Sequence, residues 1–183
     1  MTLREKYEMM ISLGKDIQIC CDMDGVLAKW EVGCTYEKTW TPHYFLHRDL
    51  QENVRDALLL LLEAGFKCCA LSAAYEEGTA REDKRNWLNN SGLANLDDLF
   101  VPCGRNKADF IDAKNGATYL LLDDYNTNVI AWSATKKNNA NFIAVKFHNG
   151  INGNSGNWDG RVIHHHSSAE IIAHTLVDFA LMS

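Results

Sequence analysis

A short apolar run at residues 17–27 carries two carboxylates, in the order Asp22-Met23-Asp24-Gly25. An apolar run that ends in charged residues is typical of a buried parallel strand, which delivers the charge to its carboxyl end. Because side chains alternate along an extended chain, Asp22 and Asp24 would face the same side, and Gly25 permits a sharp turn directly after them. The same residues also suit a plain acidic turn, so the pattern of the whole chain decides between the two interpretations.

Apolar runs and amphipathic helical patterns alternate along the rest of the chain. After the run at 17–27, the predicted strands lie at 66–71, 99–101, 119–122 and 142–145. The predicted helices are a stripe at 3–11 that ends at Gly14, a buried pattern at 54–62 that ends at Gly65, and the segments 79–92, 106–113, 126–132 and 168–181. This alternation predicts an α/β fold with a doubly wound, mostly parallel sheet.

Two of these helices carry start signals. Thr79 is followed three residues later by Glu82, which is the spacing of a capping box. Asn126 is a residue type that caps helices, and it precedes the pattern at 126–132. We therefore expect helices to begin at these two positions.

The segment at residues 29–49 follows neither the helical nor the strand period, and it holds several aromatic residues among polar ones. We expect it to form a short lid inserted after the first strand. Trp40, Tyr44 and Phe45 are the lid residues expected to lie over a ligand held at the strand ends, although lid aromatics also pack against one another. No repeat or linker divides the chain, so residues 1–183 are expected to form one domain with this insertion.

Charge and cysteine content exclude several classes of protein. The formal net charge of −6 disfavours nucleic-acid polymers as partners, because their binding depends on Lys and Arg that neutralise phosphates. No apolar stretch reaches the roughly 18 residues of a membrane span, so a cytoplasmic protein without a membrane partner is expected. Four of the six cysteines form vicinal pairs in predicted strands, and all six are expected to be reduced, with only Cys34 and Cys103 exposed.

Six polar residues follow the predicted strand ends or lie just beyond them. Because the carboxyl ends of parallel strands meet at one edge of the sheet, we expect these residues to form one site. Four carboxylates brought together require positive charge, since their repulsion would otherwise destabilise the fold. Oxygen ligands favour Mg²⁺, which also accepts substrate phosphate as a ligand. The expected site consists of Asp22, Asp24, Ser72, Lys107, Asp123 and Asp124.

Such a site permits phosphoryl transfer. A carboxylate that attacks phosphorus forms an aspartyl-phosphate, and a second carboxyl two residues away can protonate the leaving oxygen and then activate the hydrolytic water. Ser72 could donate a hydrogen bond to a phosphoryl oxygen, and Lys107 could neutralise charge on the nucleophile and the phosphoryl oxygens.

Four ordered segments resemble the motifs of phosphatases in the haloacid-dehalogenase superfamily, namely 22–27, 71–72, Lys107 and 122–124. The resemblance implies that Asp22 is the nucleophile and a metal ligand, and that Asp24 is the acid/base and binds the metal through its main-chain carbonyl. It also implies that Ser72 and Lys107 hold phosphate. By the same resemblance Asp123 and Asp124 complete the metal site, without a decision on which of them binds directly. The acid at position 24 is typical of the phosphatase branch of that superfamily.

Further segments are similar to bacterial proteins grouped with the type-C 5′-nucleotidases. They lie at 100–104, 107–108, 121–128 and 150–153. This resemblance implies a small phosphorylated metabolite as substrate, with deoxyribonucleoside 5′-monophosphates as the expected class and Mg²⁺ as the cofactor. The lid is much shorter than in the larger deoxyribonucleotidases, so another phosphometabolite, such as a sugar phosphate, is the alternative substrate.

Two other classes of protein share part of the pattern. A signalling receiver domain also phosphorylates an aspartate beside paired acids and a lysine. Its acid pair follows the first strand, however, whereas the pair in this chain follows the fourth predicted strand. A phosphate-binding protein without turnover is the second alternative, although every residue that turnover requires is present. The sequence carries no signature of an oligomeric state.

Several other polar residues have weaker signatures. The histidines at 164–166 lack a cysteine or carboxylate at ligand spacing, and a solvated loop or strand end is expected there. Arg81, Lys84 and Arg85 are expected to form a solvated basic face of their helix. His43 and His47 are expected to face solvent from the lid. The Gly/Asn-rich segment 149–160 suits a surface loop or a flap over the site, with Asn152 as its candidate contact.

Overall fold

A single sheet of six parallel strands forms the centre of the molecule, and helices cover both of its faces. The computed structural model describes residues 1–35, 37–151 and 158–182. The strands are β1 Ile17–Cys21, β2 Lys67–Ala74, β3 Asp97–Pro102, β4 Thr118–Asp123, β5 Asn141–His148 and β6 Arg161–His164. The helices are α1 Leu3–Ser12, α2 Glu52–Ala64, α3 Ala80–Asn90, α4 Asn126–Ser133 and α5 Ala169–Leu181. The strand order β3-β2-β1-β4-β5-β6 confirms the predicted doubly wound α/β fold.

Two apolar cores lie on opposite faces of the sheet. Ile19 and Cys21 of β1 enter the core that contains side chains of α2 and α5, whereas Cys20 between them enters the core that contains side chains of α4. Leu120 and Leu121 of β4 divide between the two cores in the same way. This alternation is the strand period of two, and it explains why strands buried on both faces are apolar almost throughout.

The sequence patterns did not predict β6, which forms one edge of the sheet. Its register with β5 runs from Val145 opposite Arg161 to His148 opposite His164. Only two apolar residues separate Arg161 from His164, so the run is too short to signal a strand by itself. Pairing with β5 supplies the main-chain hydrogen bonds, and His164 therefore occupies a strand end, one of its two expected placements.

Helix α3 begins where it was predicted to begin, but the predicted capping box is wrong. The Thr79 hydroxyl donates to Asp83 Oδ2 at 2.7 Å and accepts the main-chain N–H of His43 at 3.2 Å. These contacts with the lid and with α3 itself replace the bond that a capping hydroxyl makes to the main chain of its helix. A reciprocal capping box does form at the start of α1, between Thr2 and Glu5.

The helix predicted at 106–113 is wrong in length. One 3₁₀ turn, Lys107–Phe110, begins where Asn106 Oδ1 accepts the N–H of Ala108 at 3.2 Å. The chain is extended at Ile111, with ψ of 126°. Ile111 and Ala113 thereby reach the core beneath α4. Burial of these two side chains decides the conformation, which a local helical pattern does not report.

The lid at residues 29–49 contains two 3₁₀ turns, Glu37–Trp40 and Tyr44–His47. Its two ends are joined by a hydrogen bond from the N–H of Lys29 to the carbonyl of Asp49, at 2.7 Å. It rests on α3, where Trp87 Nε1 donates to the carbonyl of Arg48 at 2.9 Å. His43 Nδ1 lies 3.0 Å from Asp83 Oδ1 while its side chain stays 60% exposed. The lid is therefore held against the carboxyl edge of the sheet.

Gly25 makes the turn that the sequence predicted after Asp24. Its φ is +80°, and a Cβ at this position would lie 2.1 Å from Asp124 Oδ2. The N–H of Gly25 donates to the carbonyl of Ala28 at 2.8 Å. Only glycine combines this backbone conformation with so close a neighbour. The turn thus brings the Asp22-to-Gly25 segment into contact with the end of β4.

The six cysteines are unpaired, as predicted. Cys103 is exposed and the vicinal pairs are buried, as expected, whereas Cys34 is half-buried and not fully exposed. Among the described residues, no helix has both the length and the apolar character that crossing a membrane requires.

Candidate functional site

A buried lysine joins the acids that follow β1 and end β4. Lys107 Nζ lies 2.9 Å from Asp22 Oδ1 and 2.7 Å from Asp123 Oδ2. The main-chain N–H of Met23 donates to Asp22 Oδ1 at 2.8 Å. The three charged side chains are at most 8% exposed. The fold thus unites residues that are far apart in sequence, as their positions at strand ends predicted.

The charge of Lys107 is set by its two partners. Burial by itself would lower the pKa of Lys107, because the ammonium group loses its hydration. The carboxylates of Asp123 and Asp22 outweigh burial and raise the pKa of Lys107 above its ordinary value. Lys107 therefore stays protonated and offsets negative charge beside Asp22.

Asp123 is fully buried, and both of its carboxylate oxygens accept hydrogen bonds. Oδ1 accepts the main-chain N–H of Tyr125 at 2.8 Å, and Oδ2 accepts Lys107 Nζ at 2.7 Å. Asn128 Nδ2 reaches both oxygens, at 3.2 and 2.9 Å. No role for Asn128 was predicted from the sequence. A signal for it existed in its position five residues past Asp123, near the start of the helix that follows.

Asp124 is held by residues of β5 and of the segment that follows it. Asn149 Nδ2 donates to Asp124 Oδ2 at 2.8 Å and to the carbonyl of Gly25 at 3.1 Å. Lys146 Nζ donates to the main-chain carbonyl of Asp124 and, at 2.6 Å, to Asn126 Oδ1. Helix α4 begins at Asn126 and its cap is Tyr125, so the capping role expected of Asn126 is wrong. The first residue of the segment 149–160 thus contacts the site.

Three carboxylates at this edge lie close enough together to hold a metal ion. One oxygen from each of Asp22, Asp123 and Asp124 lies within 4.8 Å of the other two, and all three residues are buried. Buried carboxylate oxygens suit a hard cation such as Mg²⁺. Among the described residues, this is the only group of three acid, His or Cys side chains with such spacing. The carboxylate of Asp24 lies outside the group.

A second buried lysine holds Asp24. Lys84 Nζ lies 2.5 Å from Asp24 Oδ2, and it donates to Ser72 Oγ at 2.9 Å and to the carbonyl of Ala73 at 2.6 Å. Lys84 and Ser72 are both fully buried, while the Asp24 side chain is 25% exposed. The ammonium group also lies 4.5 Å from the centre of the Phe45 ring. Lys84 therefore links α3, the end of β2, Asp24 and the lid.

The prediction that Lys84 belongs to a solvated basic face is wrong. Arg81 and Arg85 are exposed as predicted, but Lys84 is 0% exposed. Trp87 and Leu88 follow at i+3 and i+4 and are buried on the same side of α3. This spacing was the available signal, because a lysine within the apolar stripe of a helix points to the interior and requires a partner.

The three lid aromatics have different surroundings. Trp40 is 63% exposed and lines a cleft of about 510 Å³ beside the loop that follows β2. Phe45 is buried and packs edge-to-face on Tyr44, with ring centres 5.0 Å apart. The Tyr44 hydroxyl lies 3.0 Å from Cys34 Sγ, and Arg48 stacks over the Tyr44 ring. Substrate contact by these residues stays a prediction, and Trp40 has the most accessible ring of the three.

The histidines and Asn152 are the remaining candidates from the sequence. The ring of His164 lies 5.3 Å from that of His166 and 5.0 Å from that of His148, at the β5–β6 edge. His47 is exposed, as predicted. Asn152 falls in residues 152–157, outside the described part of the chain.

Comparison of this chain with protein-family models, with curated proteins and with solved structures found no match. A functional conclusion therefore depends on the chemistry of the site. That chemistry includes two acids beside two buried lysines, a buried hydroxyl and a group of carboxylates suited to a cation. Such an arrangement can bind an anion that carries several oxygens and can supply a nucleophile and a proton donor to it.

Proposed function

We propose that this protein is a Mg²⁺-dependent phosphomonoester hydrolase of small phosphorylated metabolites, with (deoxy)nucleoside 5′-monophosphates as preferred substrates. The observation that carries the proposal is that each of two acids, two residues apart, is paired with its own buried lysine. Asp22 pairs with Lys107 at 2.9 Å, and Asp24 pairs with Lys84 at 2.5 Å. The nucleophile and the proton donor act on opposite sides of one phosphorus atom, so the two acids must be held in different positions. A separate lysine beside each acid can hold them so.

The reaction proceeds in two steps. Asp22 attacks phosphorus, the bond from phosphorus to the ester oxygen breaks, and Asp24 gives that oxygen a proton, so that an alcohol leaves. Asp24 then removes a proton from water, which attacks the aspartyl-phosphate, releases inorganic phosphate and restores Asp22. Lys107 and Ser72 donate to the phosphoryl oxygens in both steps. Lys84, whose three N–H groups are directed to Asp24, Ser72 and the carbonyl of Ala73, holds these groups in place and adds positive charge beside the phosphoryl group.

The carboxylates of Asp22 and Asp124 and the main-chain carbonyl of Asp24 would hold Mg²⁺, which when bound supplies positive charge to the phosphoryl oxygens. We assign the direct contact to Asp124 because both oxygens of Asp123 already accept hydrogen bonds from Lys107, Asn128 and the main chain. Asp123 instead orients Lys107. Asn149, which donates to Asp124 at 2.8 Å, orients the metal ligand.

The preference for nucleotides is supported by the cleft beside Trp40. Its volume of about 510 Å³ falls within the range of small-molecule pockets. An exposed indole ring suits stacking of a nucleobase. A sugar phosphate, the alternative substrate, carries no aromatic ring that could stack on this indole.

Phosphate release is expected to require Mg²⁺ and to stop in excess EDTA, while Ca²⁺ restores it poorly because its coordination shell is larger and looser. Asp124→Ala should raise the half-saturating Mg²⁺ concentration by at least about tenfold, since even partners of metal ligands typically change affinity by about 10–100-fold. A Mg²⁺ titration of phosphate release measures both effects. Asp109→Ala, which removes an exposed acid, is the control, and full activity in EDTA would exclude the metal mechanism.

Lys84→Met is expected to raise KM for p-nitrophenyl phosphate by about tenfold or more, because it removes a buried positive charge beside the phosphoryl group and the hydrogen bond that positions Ser72. The matched control is Arg81→Met, which removes a positive charge from the exposed side of the same helix. Initial rates across substrate concentration give KM for both variants, and thermal melts establish that each is folded. Equal KM values for two folded variants would mean that Lys84 does not contribute to phosphate binding.

A further inference from the structure

The cleft beside Trp40 adjoins the Asp24–Lys84 pair. Ala74 at the end of β2 lies opposite Pro102 at the end of β3. This register brings the two residues that follow, Tyr75 and Cys103, to the same edge of the sheet, and both line the cleft. Lys84 donates to the carbonyl of Ala73, one residue before Ala74. A phosphoryl group at Lys84 would therefore have its leaving group directed along this cleft.

One wall of the cleft is aromatic and fixed in place. The rings of Trp40 and Tyr75 meet edge-to-face, with centres 5.7 Å apart and planes at 75°. The Tyr75 hydroxyl lies 2.7 Å from Thr39 Oγ1 of the lid. Trp40 nevertheless remains 63% exposed. Its ring is thus positioned by the protein, and most of its surface is exposed to solvent at the cleft.

The other distinctive feature of the cleft is its charge. Glu76 and Glu77 line it and are exposed, and its described lining residues include no lysine or arginine. Arg105, two residues past Cys103, stacks over Phe110 at 5.9 Å. Ionised carboxylates accept hydrogen bonds and donate none. The cleft therefore favours a group with N–H donors and repels a second anionic group.

We propose that the leaving group of the substrate occupies this cleft, and that Glu76 and Glu77 select a flat leaving group that carries an amino group and no second phosphate. The chemical class is an amino-bearing nucleoside, whose base stacks on Trp40 while its exocyclic N–H group faces the carboxylates. This inference rests on the proposed hydrolysis of phosphomonoesters, and it names the substrate class of the same site.

The test compares dCMP with dUMP, because cytosine carries an amino group where uracil carries a carbonyl oxygen. We expect kcat/KM for dCMP to exceed that for dUMP by about fivefold or more, as hydrogen bonds to exposed carboxylates allow. In Glu76→Gln/Glu77→Gln the ratio should fall towards one, since an amide both donates and accepts. Glu63→Gln, an exposed position on α2 outside this lining, should keep the wild-type ratio.

A binding measurement separates this inference from the proposed function. Calorimetric titration of Asp22→Asn with dCMP and with dUMP, both in Mg²⁺, gives the ratio of dissociation constants without turnover. Hydrolysis of p-nitrophenyl phosphate with no dCMP preference in rate or binding would overturn the cleft inference and leave the hydrolase standing. A preference that survives in the double glutamine variant would also overturn it. If no phosphoester were hydrolysed, the hydrolase proposal would fall, and the calorimetric ratio would still decide the role of Glu76 and Glu77.

Discussion

Asp22→Asn is expected to lose all measurable phosphate release and to keep its fold, because an amide is a poor nucleophile. The asparagine oxygen can still accept the two hydrogen bonds that Asp22 Oδ1 receives from Met23 N–H and Lys107 Nζ, at 2.8 and 2.9 Å. Lys107 also keeps Asp123 at 2.7 Å as its partner. The measurement is phosphate release from p-nitrophenyl phosphate and from dCMP, with a thermal melt to establish folding.

The matched control for this loss is Asp97→Asn, an identical change at an exposed position where β3 begins. This variant should keep wild-type turnover, because β3 begins at the amino edge of the parallel sheet, opposite the site. Removal of a nucleophile typically costs several orders of magnitude, so turnover of Asp22→Asn within about tenfold of wild type would exclude an aspartyl-phosphate at this position.

Asp24→Asn is expected to lower kcat by about 10²–10⁴-fold, the range typical of a lost general acid and base. Asparagine can accept the hydrogen bond from Lys84 Nζ, which lies 2.5 Å from Asp24 Oδ2. The phosphate-binding groups should therefore remain in place, and inhibition by inorganic phosphate should change little. The predicted signature is a loss in rate with phosphate binding retained.

The effect of Asp24→Asn should also depend on the leaving group of the substrate. A p-nitrophenolate leaves readily without a proton, whereas the 5′-oxygen of a nucleoside requires one. Asp24→Asn should accordingly impair hydrolysis of dCMP more than that of p-nitrophenyl phosphate. Equal losses for the two substrates, or weaker phosphate inhibition with an unchanged rate, would mean that Asp24 binds substrate and is not the proton donor.

The two buried lysines offset part of the negative charge of the site. Four acids, Asp22, Asp24, Asp123 and Asp124, meet at one edge. From the sequence we expect one lysine and a cation to offset their negative charge. The structure adds Lys84, which is fully buried and bound to Asp24. Two fixed positive charges offset part of the charge of the four acids before any ligand arrives. In the proposed reaction they would face the phosphoryl group with little reorganisation at the moment of binding.

Sequence pattern alone determined the class of fold and the place of the main acids. Buried parallel strands are apolar on both faces, so their ends are conspicuous when charge follows, as at Asp22 and Asp123. Since the carboxyl ends of all parallel strands meet at one edge, the convergence of these residues with Ser72 and Lys107 followed from topology. No contact had to be known for that step.

Tertiary structure alone decided which polar residues surround those acids and how two local segments fold. Lys84 is buried because the lid and Asp24, 60 residues away, supply its partners. β6 exists because β5 offers it hydrogen bonds, and the segment at 106–113 leaves its helical pattern because Ile111 and Ala113 are buried beneath α4. Local periodicity reports which side of an element is apolar, whereas the free energy of a buried charge or an edge strand depends on partners that only the folded chain brings near.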